Sequence, residues 1–217
     1  MIHNDATAVA VAEALARVEA ADHTQGWDIE PILIGLFTRP GERPNGLLIE
    51  VDPGLFGPAI WHQSDPANPG HSLPMATVLD LMVRTVSAAD QRTGFHDWLN
   101  PRSRTFLGFA LLFVGWKTTP YHGYRHGDLN NVPAMAEVEV RVVAGLDLAG
   151  RYYQIHRGRG ETVTAAAVID PAPADLAHTN VGAALTRLVN LARTTGHHAT
   201  GHHANDHYPN GRGDQRP

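Results

Sequence analysis

The sequence predicts an α+β domain from the alternation of two apolar periodicities. Short segments show the apolar alternation or clustering of β-strands, and three longer segments repeat apolar residues at helical spacing, with Gly- and Pro-rich turns between them. The predicted order is α-β-β-α-β-β-β-α. It corresponds to a single antiparallel sheet of about five strands with about three helices packed on it.

The first third of the chain predicts a helix followed by a hairpin. Asn4 and Asp5 are the predicted caps of a helix whose apolar stripe is Ala8, Val11, Ala12, Leu15 and Val18. Residues 29–38 and 47–51 predict two strands joined by a turn at 41–46. Pro31 is expected at the start of the first strand, because proline cannot donate a ladder hydrogen bond.

The middle of the chain predicts a long connection, a helix and a central strand. Residues 52–71 are rich in Pro and Gly and form the connection. Ser72 is the predicted cap of a helix that ends before Gly94, with a stripe of Met75, Leu79, Met82, Val83 and Val86. Residues 105–118 are apolar at successive positions, which predicts a strand covered on both faces.

The last third predicts three strands, a helix and a tail. Residues 136–144 alternate charged residues with valine, and residues 151–157 and 162–169 are also predicted as strands. Asn180 is the predicted cap of a helix with Leu185, Leu188, Val189 and Ala192 on its stripe. We therefore expect one folded domain over residues 1–193 and a disordered, His-rich tail over residues 194–217, since the tail has little apolar surface.

Composition favours a cytoplasmic protein without nucleic-acid or membrane partners. The net charge of −5 provides no basic surface, and the chain contains no cysteine. The first twenty residues carry Asp5, Glu13 and Glu19 against Arg17, unlike the start of a signal peptide. The longest apolar run, 106–116, is shorter than a membrane helix. Sixteen arginines and a single lysine indicate a high-GC genome.

Two sequence blocks resemble an uncharacterised family of actinobacterial proteins. The first is Gly26-Trp27-Asp28 with Pro31 and the apolar run 32–37. The second is the Val-Arg strand at 139–143, followed by the turn at 150–152 and by Arg157. The resemblance covers roughly residues 10–193. It implies a fold and an actinobacterial or actinophage origin, and it implies no activity, since the family has none established.

Five of the fourteen histidines fall within eleven residues near the end of the chain, in the pattern His-His-x3-His-His-x3-His. Imidazole is the commonest protein ligand for zinc, nickel and copper. The tail therefore predicts binding of Ni²⁺ or Zn²⁺ by His197, His198, His202, His203 and His207. A biased low-complexity end without a metal function is the alternative.

The loop at 121–128 contains the best internal constellation. His122, His126 and Asp128 could ligate a metal ion and support a metal-dependent hydrolase. No helix fixes their spacing, and no glutamate base lies beside them as in zinc proteases. An ordinary surface loop is the favoured interpretation.

A row of charged residues on one predicted strand has two interpretations. Glu137, Glu139 and Arg141 share a face, and neighbouring carboxylates can serve acid/base chemistry. The favoured interpretation is structural: a solvated face, or cross-strand ion pairs with Arg151 or Arg157.

Core signals are strong and active-site signals are weak, so the sequence predicts an interaction protein. Phosphate-binding, dinucleotide-binding and esterase motifs are not found in it. We predict a non-catalytic protein-interaction or accessory protein that contacts a protein partner or itself. The alternatives are metal-ion delivery by the His-rich tail and metal-dependent hydrolysis at the 121–128 loop.

Overall fold

One antiparallel sheet organises the protein. The computed structural model describes residues 6–24, 26–40, 47–120 and 135–197, with backbone alone at 40, 117–120, 135–137 and 196–197. The strands are β1 (Ile32–Pro40), β2 (Leu47–Asp52), β3 (Thr105–Pro120), β4 (Met135–Asp147), β5 (Tyr152–Gly158) and β6 (Ala165–Ile169). The helices are α1 (Ala6–His23), α2 (Met75–Ser87), α3 (Arg92–Leu99) and α4 (Asn180–His197). The strand order across the sheet is β2-β1-β3-β4-β5-β6.

The predicted class is confirmed and the predicted number of elements is wrong. The described residues form a mixed fold with a single antiparallel sheet, as expected. The sheet has six strands, not about five, because all six segments with strand-like patterns pair within it. The described part of the chain also has four α-helices, not about three.

Helix α3 is the element that the sequence did not predict. The sequence predicts that the second helix ends before Gly94, yet Gly94 lies inside α3, because Phe95 and Leu99 anchor this short helix in the core. Trp98 of α3 stacks on Phe109, with ring centroids 6.0 Å apart and an interplanar angle of 7°. A Cβ atom at Gly35 would lie 2.1 Å from the Trp98 ring, so only glycine fits there.

Helices cover both faces of the sheet. On one face, Val11 and Leu15 of α1 pack with Leu112, Val143 and Ile155. On the other face, residues of α2, α3 and α4 pack with Phe109 and Leu111. Residues 106–112 of β3 are thus covered from both sides, as predicted for residues 105–118, whereas Trp116 is 67% exposed.

Two predicted caps differ from the structure. Helix α2 begins after Pro74, which makes no side-chain capping hydrogen bond, so Ser72 is not its cap. At the start of α4, the Thr179 hydroxyl accepts a hydrogen bond from the Gly182 N–H at 3.0 Å, and Thr179 takes the capping role predicted for Asn180.

Helix α4 continues past the predicted start of the tail. It extends to His197, and Thr195 is buried with its hydroxyl bonded to the Leu191 carbonyl at 2.8 Å. The first four residues assigned to the tail are therefore helical. Helices α1 and α4 have 18 residues each. No helix in the described ranges is both long enough and apolar enough to cross a membrane.

Candidate functional site

The residues predicted to bind metal lie outside the side chains that the structure describes. His197 is the last residue of α4 and is described as backbone only. The other residues lie outside the described ranges: His198, His202, His203, His207, His122, His126 and Asp128. Within those ranges, no three His, Asp or Glu side chains form a group that could hold a metal ion. The two metal hypotheses stay predictions from the sequence.

The charged face of β4 is only partly solvated. Glu139 pairs with Arg159 at 2.5 Å, and not with Arg151 or Arg157 as predicted. Arg141, two residues along the same face, is 0% exposed. The expectation of a solvated face is wrong at Arg141, because α1 lies across this part of the sheet and closes it from water.

Arg141 belongs to a buried charge cluster formed by Glu19, Asp22, Arg141 and Arg157. Arg141 and Arg157 are directly opposite each other on β4 and β5, an arrangement that is destabilising for like charges. Glu19 of α1 offsets this repulsion: its Oε2 lies 2.8 Å from Arg157 Nη2, and its Oε1 lies 3.8 Å from Arg141 Nη1. The Thr164 hydroxyl also donates to Glu19 Oε2 at 2.8 Å.

Asp22 completes the buried charge cluster one helical turn after Glu19. Its Oδ2 lies 3.3 Å from Arg141 Nε. That contact lacks hydrogen-bond geometry, and both atoms are buried without a hydrogen-bond partner in the described structure. The cluster therefore holds α1 on the sheet by charge, although Glu19 Oε1 and Asp22 Oδ2 both lack a hydrogen-bond donor in the described structure.

The block Gly26-Trp27 closes over Arg141. Gly26 has a φ of +103°, which favours glycine, and its carbonyl accepts a hydrogen bond from Arg141 Nη2. The Arg141 guanidinium carbon lies 5.0 Å from the Trp27 ring centroid, a cation–π contact. Trp27 thus packs against a buried cation. The segment 26–27 and strand β4 therefore meet at Arg141.

The sequence contained a signal for the buried charge cluster. Glu19 and Asp22 continue the stripe of Val11 and Leu15 at spacings of four and three residues, where an amphipathic helix places buried side chains. Carboxylates on such a stripe need cationic partners, since a buried unpaired charge is very costly. The strand arginines meet that need.

Burial raises the pKa of Asp22 above its ordinary value of 3.8, the Arg141 charge opposes the shift, and Glu19 adds to it. A raised carboxyl pKa means that the folded state binds the proton more tightly than the unfolded chain does. This tighter proton binding adds to the free energy of unfolding. The contribution is fully present below pH 3.8 and is lost as the pH rises through the pKa of Asp22 in the folded state.

We therefore expect Asp22→Asn to gain stability relative to the unsubstituted protein as the pH rises. The relative gain should level off once Asp22 is ionised. Urea unfolding of both proteins between about pH 4 and pH 8 measures the difference. Asp80→Asn is the control. Because a hydrogen bond from Arg187 lowers the pKa of Asp80, the difference in unfolding free energy between this variant and the unsubstituted protein should not change with pH in this range. A difference that is independent of pH for Asp22→Asn would contradict the expectation.

Asp22 also lines a cleft between the start of β1, residues 53–61 and α2. The cleft has a volume of ≈ 600 Å³. Three carboxylates contribute to its lining, from Asp22, Asp28 and Glu30, together with the apolar side chains of Phe56, Trp61 and Met82. The described lining residues include no arginine, lysine or histidine. We call this the acidic cleft.

The β6 edge of the sheet is an exposed surface without charged side chains. Strand β6 pairs with β5 on one side and with no other strand of the described chain on the other. Its sequence, Ala-Ala-Ala-Val-Ile, has no charged residue, and the first four side chains are exposed. Val168 is 41% exposed, and Val163 just before the strand is 73% exposed.

Comparison with known proteins identifies no relative. No family model, curated protein or solved structure matches the chain. The resemblance to an actinobacterial family stays a prediction.

Proposed function

We propose that this chain is a non-catalytic, cytoplasmic interaction protein of actinobacterial or actinophage origin that associates with a second copy of itself through β6. The exposed, uncharged edge of β6 carries the proposal of self-association. The absence of cysteine supports the compartment, and the two sequence blocks support the origin.

The two edges of the sheet differ in their protection against pairing. At the β2 edge, Glu50 and Asp52 form ion pairs with Arg104, and charged side chains on an edge strand discourage pairing with another chain. Over Ala165–Ile169, the β6 edge has no charge and no proline. An unprotected edge of this kind is a template for strand addition.

A second copy is the partner that fits this edge. Two β6 strands related by a two-fold axis pair antiparallel, so that residue i of one chain faces residue j of the other and j faces i, through the same patch on both chains. The small side chains of Ala165, Ala166 and Ala167 allow close approach, and Val163 and Val168 provide exposed apolar surface to bury.

Sedimentation equilibrium between about 1 and 100 µM tests the proposal. We expect a dimer, and we expect the double variant Ala165→Lys/Ala167→Lys to weaken it at least about tenfold, because like charges would face each other across the symmetry axis. Both alanines are exposed, so the monomer should fold normally.

Two control variants make the test specific. Ala174→Lys adds a lysine at an exposed position outside the sheet and should leave the dimer intact. Leu48→Lys adds a lysine to the β2 edge, where Leu48 is 51% exposed. A monomeric unsubstituted protein, or a dimer disrupted by Leu48→Lys and not by the β6 variant, would overturn the proposal.

A further inference from the structure

We propose that the buried charge cluster controls self-association, because it fixes the β6 edge through the side chain of Thr164. This inference rests on the proposed function, in which β6 is the strand that pairs with a second copy. Thr164 is the residue immediately before β6, and its hydroxyl contacts two members of the cluster. The cluster therefore reaches the edge of the sheet as well as its interior.

Strand β6 is not held in place by core packing. Neither of the two hydrophobic clusters in the described part of the chain includes a residue of β6. The strand has five residues, pairs with β5 along its length and lies close to α1. A short edge strand with few buried apolar side chains opens locally at a low free-energy cost. Polar contacts at its ends therefore decide how well it is ordered.

Thr164 provides the polar contact at the start of β6. Its hydroxyl donates to Glu19 Oε2 at 2.8 Å and accepts from Arg157 Nη2 at 2.7 Å. Glu19 is 0% exposed and Arg157 is 9% exposed, so both hydrogen bonds reach charged groups inside the protein. Hydrogen bonds to charged groups are about twice as strong as those between neutral groups. The hydroxyl thus ties the start of β6 to α1 and to β5 at once.

Backbone contacts fix the remainder of the segment around β6. The Glu161 carboxylate accepts a hydrogen bond from the Gly158 N–H at 2.8 Å and closes the turn between β5 and β6. After β6, the Ala172 N–H donates to the Gly150 carbonyl at 2.9 Å. An edge that is already ordered loses less conformational entropy when a second strand pairs with it. Order at Thr164 therefore favours association.

Thr164→Val tests the link, because valine keeps the branched shape and lacks the hydroxyl. Sedimentation equilibrium measures the dimer, and we expect its dissociation constant to rise at least about threefold. Hydrogen exchange at about 1 µM, in the Ala165→Lys/Ala167→Lys background where pairing is suppressed, measures the order of β6 alone. We expect the amides of β6 to exchange at least about tenfold faster, with exchange in β3 unchanged.

Three further variants separate the hydroxyl from general effects. Thr164→Ser keeps the hydroxyl and should stay within about twofold of the unsubstituted protein in both measurements. Thr77→Val makes the same change at an exposed position of α2 and should alter neither. Val83→Ala removes buried volume from the core on the other face and lowers the overall stability, yet it should leave the dimer intact.

The two measurements distinguish the possible failures. Unchanged exchange of β6 in Thr164→Val would overturn the proposal, whatever the state of the dimer. Faster exchange with an unchanged dissociation constant would also overturn it, since the order of β6 would then not control pairing. Equal effects of Thr164→Val and Val83→Ala would show a loss of overall stability instead. A monomeric unsubstituted protein would refute the self-association, whereas exchange alone would then decide whether the cluster fixes β6.

Discussion

Replacing Arg141 with methionine is expected to destabilise the protein by about 3–5 kcal/mol, the usual cost of removing one partner from a buried ion pair. Arg141 is 0% exposed and faces both Glu19 and Asp22. Methionine would fill much of the same space and leave Asp22 buried without its counter-charge. Urea unfolding at pH 7 measures the loss, which corresponds to a fall in Tm of roughly 10 °C.

Two further variants separate charge from packing. Arg159→Met removes an arginine whose side chain is 64% exposed and pairs with Glu139, so it should cost less than about 1 kcal/mol. Adding Asp22→Asn to Arg141→Met should recover part of the loss, because the uncompensated charge is then absent. A loss of under about 1 kcal/mol for Arg141→Met alone would show that the buried charge cluster does not stabilise α1 on the sheet.

The second large effect is expected from Val140→Asp. Val140 is 6% exposed and lies on the opposite face of β4 from Arg141. Aspartate at this position would bury a carboxylate that has no counter-charge. We therefore expect the free energy of unfolding to fall by roughly 3 kcal/mol or more, well above the effect of a typical substitution. Thermal and urea unfolding provide the measurement.

Glu139→Ala is the matched control for that prediction. Glu139 pairs with the exposed Arg159, and such a pair contributes little, so the expected loss is within about 1 kcal/mol. Val140→Ala removes apolar volume without adding charge and should fall between the two. Equal losses for Val140→Asp and Glu139→Ala would contradict the assignment of the two faces of β4.

Local patterning was sufficient to predict most strands and helices. The alternation of charged residues and valine located β4, and the run of apolar residues located β3. The stripes of α2 and α4 also predicted most of their buried residues, since 3.6-residue periodicity depends only on which face of the helix meets the core; in α2, Val78 is buried in addition and Met75 is only partly buried. These features depend on neighbours in the sequence.

Features that depend on a distant partner were not predicted. Helix α3 has only two turns, and its stability depends on packing of Phe95 and Trp98 against Phe109 of β3. Thr179 and Asn180 are both acceptable caps by residue type, and only the position of the Gly182 N–H distinguishes them.

In the candidate sites, too, the sequence identified individual residues but not the contacts between distant ones. The sequence singled out Arg141 as a charged residue on a strand face, and it singled out Trp27 as a packing aromatic. Their contact joins residues more than a hundred positions apart, at 5.0 Å. The acidic cleft likewise combines the end of α1, the start of β1 and a segment after β2, so no local pattern could indicate it.

By itself, the sequence determined the antiparallel α+β class and most residues of the core-facing stripes. Only the tertiary structure decided that Arg141, on the polar face of β4, is buried. The reason is that α1 carries Glu19 and Asp22 on its buried stripe, and a helix with that stripe is stable only over a sheet face that supplies cations. Arg141 and Arg157 supply them, and their position beneath α1 follows from the packing of the helix on the sheet.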